Sequence, residues 1–141
     1  MQGWLELEVR YSETDPMQVA HHSSYWIWFE MARIAMLDAA GVHYSFLESK
    51  GVFLPVLKAK IEYLRSLRFG EKIGIETLGQ RMGLSRLVFE YQVFLLPHPR
   101  FHPNLEQKIL TTTASTEHVF VNSTGKPLRF PAQFSDFFPK K

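Results

Sequence analysis

The chain has 141 residues, of which 45% are hydrophobic and 21% charged, so it is long enough for a globular core and too apolar for extended disorder. It contains no cysteine, which excludes disulfide bonds, thiolate nucleophiles and cysteine-ligated metals. Sixteen Lys and Arg residues against fourteen Asp and Glu residues give a formal charge of +2, which is too small to indicate nucleic-acid binding.

The first predicted element is a strand, because Leu5, Leu7, Val9 and Tyr11 alternate with charged residues. The same alternation differs from the apolar run of a signal peptide, so we expect a cytoplasmic protein. The strand leads into the sequence SETDP, whose residues are typical of a turn.

One long helix is predicted next, because residues 25–40 are rich in Ala, Met and aromatic side chains. Ser23 and Ser24 are the expected N-cap, and Gly41 is expected to end the helix. The segment is short for a membrane span and is interrupted by charges, so we expect no integral membrane segment. Its polar residues fall within one arc of the helix: Glu30, Arg33 and Asp38. A helix this apolar needs a curved sheet to cover it.

Four further strands are predicted at about 57–63, 73–82, 87–95 and 108–121, with a proline-rich loop at 97–104. We expect them to pair consecutively as an antiparallel meander. The tail, with its three phenylalanines, is expected to add a final helical turn: Phe134, Phe137 and Phe138. The predicted class is therefore α+β, in the order β-α-β-β-β-β, as a single domain over residues 1–141. Such a sheet leaves an exposed edge and an incompletely covered helix, which favours a homodimer.

Several common functional motifs are missing from the sequence. Gly83 to Leu87 lacks the second glycine of a nucleophile elbow, and there is no phosphate-binding glycine loop. His98 and His102 are surrounded by prolines, and adjacent His21 and His22 are a poor metal pair on their own. We therefore expect neither a metal site nor a cofactor.

The acid Asp15 lies in the predicted turn shortly before the helix. A helix N-terminus presents unpaired N–H groups that can hold an oxyanion, and a nearby carboxylate can attack a carbonyl or deprotonate a water. The alternative is that Asp15 only bonds the local backbone of its turn, as Asp commonly does.

The run RYSETDPMQVAHHSSYWIWFEMAR, from Arg10 to Arg33, resembles the signature of the 4-hydroxybenzoyl-CoA thioesterase-like branch of the hotdog superfamily. The segment 56–73 resembles the second strand and following turn of the same family. The resemblance implies a hotdog fold, in which an antiparallel five-stranded sheet wraps around one long central helix. It also implies an acyl-CoA thioesterase that hydrolyses a thioester to free acid and CoA.

The resemblance makes Asp15 the catalytic acid, as nucleophile or general base, and makes the backbone N–H of His22 the oxyanion donor. The His22 side chain either orients a carboxylate or water, or simply caps the helix. Gln18 stands where the family usually has Gly, so it either reshapes the turn or contacts the substrate. Glu30 is the rival catalytic carboxylate, and it is otherwise expected to pair with Arg33 on the helix surface.

Tyr25 matches an aromatic position of the family and is expected to pack first and to line the substrate pocket second. The basic residues on or after the second strand either form a solvated face or attract the phosphates of CoA: Lys58, Lys60, Arg65 and Arg68. Arg65 and Arg68, near the turn, are the better candidates for the phosphates. We expect an acyl-CoA substrate, with an acyl carrier protein thioester as the other thiol carrier, and a homo-oligomer that is a dimer or a dimer of dimers. Two alternatives to the thioesterase remain, namely a hotdog dehydratase or hydratase and a non-catalytic acyl-thioester binding module.

Overall fold

The computed structural model describes residues 1–134 and Phe138. It contains five strands and two α-helices, with one-turn 3-10 helices at Tyr11–Glu13 and Ala132–Phe134. In chain order the main elements are β1 (Gln2–Glu8), α1 (His22–Ala39), α2 (Tyr44–Ser49), β2 (Val56–Tyr63), β3 (Lys72–Met82), β4 (Arg86–Leu95) and β5 (Ile109–Val119). The predicted class and order are confirmed. Two short elements were not predicted, namely helix α2 and the 3-10 helix at Tyr11–Glu13, and β1 ends at Glu8 before the expected Val9 and Tyr11.

The five strands form one antiparallel sheet in the order β1-β3-β4-β5-β2. The predicted meander is right for β3, β4 and β5 but wrong for β2, which pairs with β5 at the opposite edge from β1. The reason is the segment 64–71, which does not close a hairpin. At the start of this segment, Arg65 N donates a hydrogen bond to Thr111 O of β5 (3.1 Å). At its end, Gly70 N donates to Val9 O, just after β1 (2.8 Å), so the segment crosses the end of the sheet.

Helix α1 lies against the concave face of the sheet. Phe29 stacks on Tyr91 of β4 with ring centroids 4.3 Å apart, and Trp28 and Phe89 are almost fully buried beside them. Burying such a side chain contributes about 1.5–3 kcal/mol, so this contact stabilises the packing of the helix on the sheet. No helix in the described part of the chain is long and apolar enough to cross a bilayer.

The start of α1 differs from the prediction, whereas its end agrees with it. The N-cap is His21, whose Nδ1 accepts a hydrogen bond from Ser23 N at 3.2 Å. Ser24 is inside the helix and donates instead to the carbonyl of Glu13 at 2.9 Å. At the other end, Gly41 has a φ of 80°, the left-handed conformation that stops a helix.

The C-terminal aromatic residues pack on the far side of the core. Phe134 lies in the short 3-10 helix and stacks on Phe120 with centroids 5.6 Å apart, and Phe138 is also buried. The predicted helical turn is therefore replaced by a 3-10 turn at Phe134, and Phe137 lies outside the described residues.

Candidate active site

Asp15 closes the loop that precedes α1. Its N–H donates to Val19 O (2.9 Å), and its carbonyl accepts from Gln18 N (2.8 Å). Its Oδ1 accepts from Met17 N at 2.8 Å and more weakly from Val19 N at 3.5 Å, whereas Oδ2 has no hydrogen-bond partner within the described residues. One carboxylate oxygen therefore holds the turn, as expected if Asp15 bonds its local backbone, and the other is unpaired within the described residues.

Gln18 occupies the conformation that explains why a glycine suits this position. Its φ is 65°, and it is the only non-glycine residue with a positive φ in the part of the chain described. A left-handed residue with a Cβ costs roughly 1–2 kcal/mol relative to glycine. The turn beside Asp15 thus keeps a glycine-like backbone despite the substitution, and an amide side chain is added at its surface.

Asp15 borders an open cavity of about 560 Å³. Phe69 approaches the cavity from the segment between β2 and β3, and Gln18 contributes from the loop itself. The remaining walls also come from the loop: Tyr11, Thr14 and Pro16. The cavity is therefore formed where the Asp15 loop meets the β2–β3 connection.

The helix start and the Asp15 loop form one hydrogen-bonded unit. Thr14 and Ala20 form an isolated antiparallel bridge, and His21 N donates to Glu13 O at 2.8 Å. His22 is the first residue of α1, and its N–H has no acceptor among the described residues, as expected for a helix N-terminus. The exposed His22 ring lies against His21 with centroids 4.1 Å apart.

Tyr25 lies behind this unit and is only 2% exposed. It packs against Trp28 and contacts Tyr63 of β2 edge-on, with centroids 5.1 Å apart. Burial raises the pKa of its phenol, while a hydrogen bond with Thr112 acts in the opposite direction. Tyr25 does not border the Asp15 cavity, so its packing role is the one that the geometry supports.

Glu13 is a buried anchor of the Asp15 loop that the sequence interpretation missed. It is buried, and its carboxylate accepts from Arg10 N and from Trp28 Nε1, both at 2.7 Å. A buried Trp requires an acceptor for its indole N–H, so an acid near an apolar helix containing Trp was the available signal. Glu13 therefore fastens the Asp15 loop to the second turn of α1.

The β2–β3 connection is fastened from two sides. The backbone of Arg68 bridges Val19, and Arg68 N donates to Oε1 of buried Glu71 at 2.5 Å. Glu71 also bonds His102 of the proline-rich loop. Gly70 has a φ of 87°, and a Cβ added there would lie 2.5 Å from the Phe101 ring. The loop 97–104 is thus part of the scaffold that supports the cavity.

The two candidate arginines lie in different places. Both side chains are exposed and form no ion pair within the described residues. Arg68 lies beside the Asp15 loop through its bridge to Val19, whereas Arg65 is bonded to β5 through its backbone. Lys58 pairs with Glu117 at 3.9 Å on the solvated face of β2, which agrees with the surface role expected for it.

The predicted surface pair of Glu30 with Arg33 is wrong. Arg33 is only 7% exposed, and its Nη1 donates to the Tyr91 hydroxyl at 3.1 Å, whereas Glu30 is exposed. The helix turns Arg33 towards the sheet because its long side chain reaches a phenol on β4. Neither residue lies near the Asp15 loop.

A directed hydrogen-bond chain starts at Arg33. The Tyr91 hydroxyl lies 2.7 Å from Oγ1 of Thr116, which lies 2.8 Å from Nε2 of His118. The other ring nitrogen of His118 bonds the carbonyl of Leu54 at 3.2 Å, so it must carry the proton. Consequently Thr116 donates to His118 and Tyr91 donates to Thr116. Burial first, and the Arg33 charge second, lower the pKa of His118 to about 4, which keeps this ring neutral.

Comparison with known proteins agrees with this architecture. The family model described as the thioesterase-like superfamily matches residues 9–138. The Bacillus subtilis protein named "Putative acyl-CoA thioesterase YneP" is 32% identical over 133 residues, covering 94% of this chain and 89% of that protein. The structure of DHNA-CoA thioesterase from Staphylococcus aureus matches with a TM-score of 0.82 at 32% identity, over 96% of this chain and 85% of that chain.

A more distant structure supports the fold alone. That structure is 4-hydroxybenzoyl CoA thioesterase in complex with 4-hydroxybenzoyl CoA. It matches with a TM-score of 0.83 at 13% identity, over 96% of both chains. The five-stranded antiparallel sheet around one main helix is therefore the hotdog fold.

Proposed function

The chain belongs to the thioesterase-like superfamily and is a thioester hydrolase, and we propose that it cleaves acyl-CoA thioesters with Asp15 as the catalytic carboxylate. The proposal rests on the different environments of the two oxygens of this carboxylate. Oδ1 accepts two backbone N–H groups of the turn, while Oδ2 has no partner among the described residues, and Asp15 borders the cavity. A carboxylate fixed by one oxygen presents the other in a defined place, which is what an attacking or proton-accepting group requires.

The chemical step follows from the groups at the loop and the helix start. Asp15 Oδ2 either takes a proton from a water whose oxygen adds to the thioester carbon, or adds to that carbon itself. The carbonyl oxygen becomes an oxyanion, which the unpaired N–H of His22 and the positive end of the α1 dipole stabilise. The C–S bond then breaks and the thiolate leaves. In the first variant the thiolate takes the proton that Asp15 accepted from the water; in the second it is protonated by solvent, and a water then hydrolyses the mixed anhydride to the free acid and regenerates the Asp15 carboxylate.

The substrate-binding proposal assigns roles to the exposed groups around the cavity. Arg68, and more distantly Arg65, attract the phosphates of CoA, since guanidinium groups pair well with phosphate. The Gln18 amide, at the edge of the cavity, contacts the substrate. The cavity is walled by Phe69 and Tyr11, which suits an apolar or aromatic acyl group.

Thiol release from a panel of acyl-CoAs, followed with a thiol reagent, tests the proposal. The panel should contain short and long aliphatic chains and aromatic acyl groups, together with one matched acyl carrier protein thioester. We expect release from at least one class, and release that is slower by at least about a hundredfold with the Asp15→Asn variant. Hydration of an enoyl-CoA without release would instead favour a dehydratase or hydratase, and binding without either reaction would favour a binding module.

A homodimer completes the proposal, because β2 is an unpaired edge with an uncovered inner face. Large apolar residues of β2 are half exposed, including Leu57 at 47% and Tyr63 at 47%. On α1, Ile27 is 54% exposed and Met31 40% exposed. A second copy that pairs along β2 would cover this apolar surface and remove the free edge. Light scattering at micromolar concentration should give a dimer or tetramer, and a stable monomer would contradict this assembly.

A further inference from the structure

A four-residue turn carries Phe69 to the edge of the Asp15 cavity. Glu71 N donates to Arg68 O at 3.1 Å, which closes the turn. Gly70, its third residue, has a φ of 87°, which a glycine adopts without strain. Phe69 is the second residue, where it is 53% exposed and borders the cavity. The placement of this turn therefore decides where the Phe69 ring meets a molecule bound beside Asp15.

The carboxylate of Glu71 holds the turn, and both of its oxygens are used. Oε1 accepts from Arg68 N at 2.5 Å, and Oε2 bonds Nε2 of His102. An ionised carboxylate can only accept, so His102 donates from Nε2. Glu71 is only 8% exposed, so loss of either partner would leave part of a buried carboxylate without a hydrogen bond, which is unfavourable.

His102 belongs to the loop 97–104, which is itself restrained. Its backbone exchanges two hydrogen bonds with His98, of 3.4 and 2.9 Å. The loop touches the turn at a second point, because a Cβ added to Gly70 would lie 2.5 Å from the Phe101 ring. The turn therefore rests on this loop through one polar and one apolar contact. Three residues of the loop have a φ fixed by their ring: Pro97, Pro99 and Pro103.

We propose that Glu71 and His102 are positioning residues that set the selectivity of the chain for its acyl group, acting through Phe69. The inference rests on the hydrolase function proposed for Asp15. Neither positioning residue lines the cavity, whereas Phe69 does. A ring on a fixed turn loses little freedom when an apolar acyl group packs against it, but a mobile turn must first be ordered by the substrate. Contacts of this kind form in the ground state and the transition state alike, so their loss raises KM more than it lowers kcat.

His102→Leu, compared with His102→Gln, tests the polar contact. The leucine removes the donor to Glu71, whereas the glutamine amide can still supply one. For benzoyl-CoA we expect His102→Leu to raise KM about tenfold with kcat within about twofold, and His102→Gln to restore most of the loss. For acetyl-CoA, whose acyl group is too small to cover the Phe69 ring, KM should hardly change. The matched control is His43→Leu, which removes an exposed histidine before α2. An equal rise in KM for both substrates, or no recovery with glutamine, would overturn the proposal.

A double-mutant cycle with Phe69→Ala tests whether His102 acts through the turn. Calorimetry in the Asp15→Asn background measures the Kd of benzoyl-CoA with little turnover, so this result does not depend on hydrolysis. We expect Phe69→Ala and His102→Leu each to raise Kd about tenfold, and the double variant to differ little from either. Additive effects, or no effect of His102→Leu, would overturn the proposal. Coupled effects in a protein whose parent chain releases no thiol would overturn only the hydrolase function, and absence of binding would overturn both.

Discussion

The two polar clusters on helix α1 are built in opposite ways. At its first turn, the loop of Asp15 is held by partners close in sequence, and one carboxylate oxygen stays open to a cavity. At its middle, Arg33 bonds Tyr91, which is 58 residues away, and the cluster is buried. In the first cluster, Oδ2 of Asp15 has no partner among the described residues and Asp15 borders a cavity, whereas in the second cluster the charge of Arg33 is buried. This difference is the reason for proposing the chemistry at the Asp15 loop and for treating the buried cluster as part of the core.

Removal of the Asp15 charge should have the largest effect on activity. Asp15→Asn keeps the size of the side chain and tolerates the turn, but loss of a positioned base or nucleophile lowers kcat by about a hundred- to ten-thousand-fold. Steady-state kinetics with the best substrate of the acyl-CoA panel measures this loss. The matched control is Glu30→Gln, which removes a carboxylate from the helix and should be nearly neutral. A dead Glu30→Gln enzyme beside a normal Asp15→Asn enzyme would move the chemistry to the helix.

Acidification should substantially lower the free energy of unfolding through the buried His118. Since the pKa of His118 is lowered from 6.5 to about 4, the unfolded chain takes up a proton at this residue before the folded chain does. Above pH 6.5 both states are neutral at His118, and as the pH falls to about 4 the free energy of unfolding decreases by about 3 kcal/mol.

Urea unfolding between pH 7 and pH 4.5 measures the contribution of His118. The control is the His118→Gln variant, which has no ionisable group at this position and should lose less stability over the same range. Carboxylates contribute equally to both proteins, so the difference between the two curves reports His118. Parallel curves would show that this ring does not resist protonation in the folded protein.

The Glu13→Gln substitution should lower the free energy of unfolding somewhat less than this acidification does. The glutamine keeps one acceptor oxygen but turns an NH₂ group towards a second donor, either Arg10 N or Trp28 Nε1. We expect a loss of about 1–3 kcal/mol in the free energy of unfolding, together with a lower kcat because the Asp15 loop is less firmly held. Trp28→Phe removes one of the competing donors, so the double variant should lose less than the sum of the single losses. Exposed Glu62→Gln is the control, and an equal loss there would contradict a specific anchor.

Replacement of Arg65 and Arg68 by Ala should have a moderate effect on binding and little on catalysis. If both side chains meet CoA phosphates, KM should rise about tenfold with kcat nearly unchanged, because such contacts stabilise ground state and transition state alike. The rise should shrink at high salt. The control variant Lys58→Ala/Lys60→Ala removes the same charge from the neighbouring strand. An equal rise in KM for both double variants would indicate that positive charge in this region attracts CoA in general, without a specific phosphate contact.

Gln18→Gly should have the smallest effect. The glycine relieves about 1–2 kcal/mol of left-handed strain, but it also increases the entropy of the unfolded chain by about 0.5–1 kcal/mol. We expect the free energy of unfolding to rise by at most about 1 kcal/mol in urea titration, whereas β-branched Gln18→Val should lower it. A change in KM with Gln18→Gly would add evidence that the amide contacts the substrate.

The contrast between the two clusters also explains what could be predicted from the sequence. The strand alternation, the apolar helix and Asp15 in its turn are local patterns, and the fold built from them is confirmed. Arg33 was predicted on the helix surface because its partners on β4 and β5 come from remote parts of the chain. The position of β2 was missed for the same reason, since the crossing segment 64–71 contains a genuine turn at Gly70 that resembles a hairpin.

The strand order also has a consequence for biosynthesis. β1 pairs with β3, as in Leu5 opposite Ile75, and β2 pairs with β5, as in Lys60 opposite Ser115. While the ribosome makes the first half of the chain, neither edge strand has its partner, and α1 has no sheet to cover its apolar face. Among the strands of the described residues, only those of the β3–β5 meander pair with their neighbours in sequence. The nascent protein therefore carries an uncovered, strongly apolar helix until β3 and β4 have emerged, and a chain interrupted before that point would be a target for chaperones and proteases.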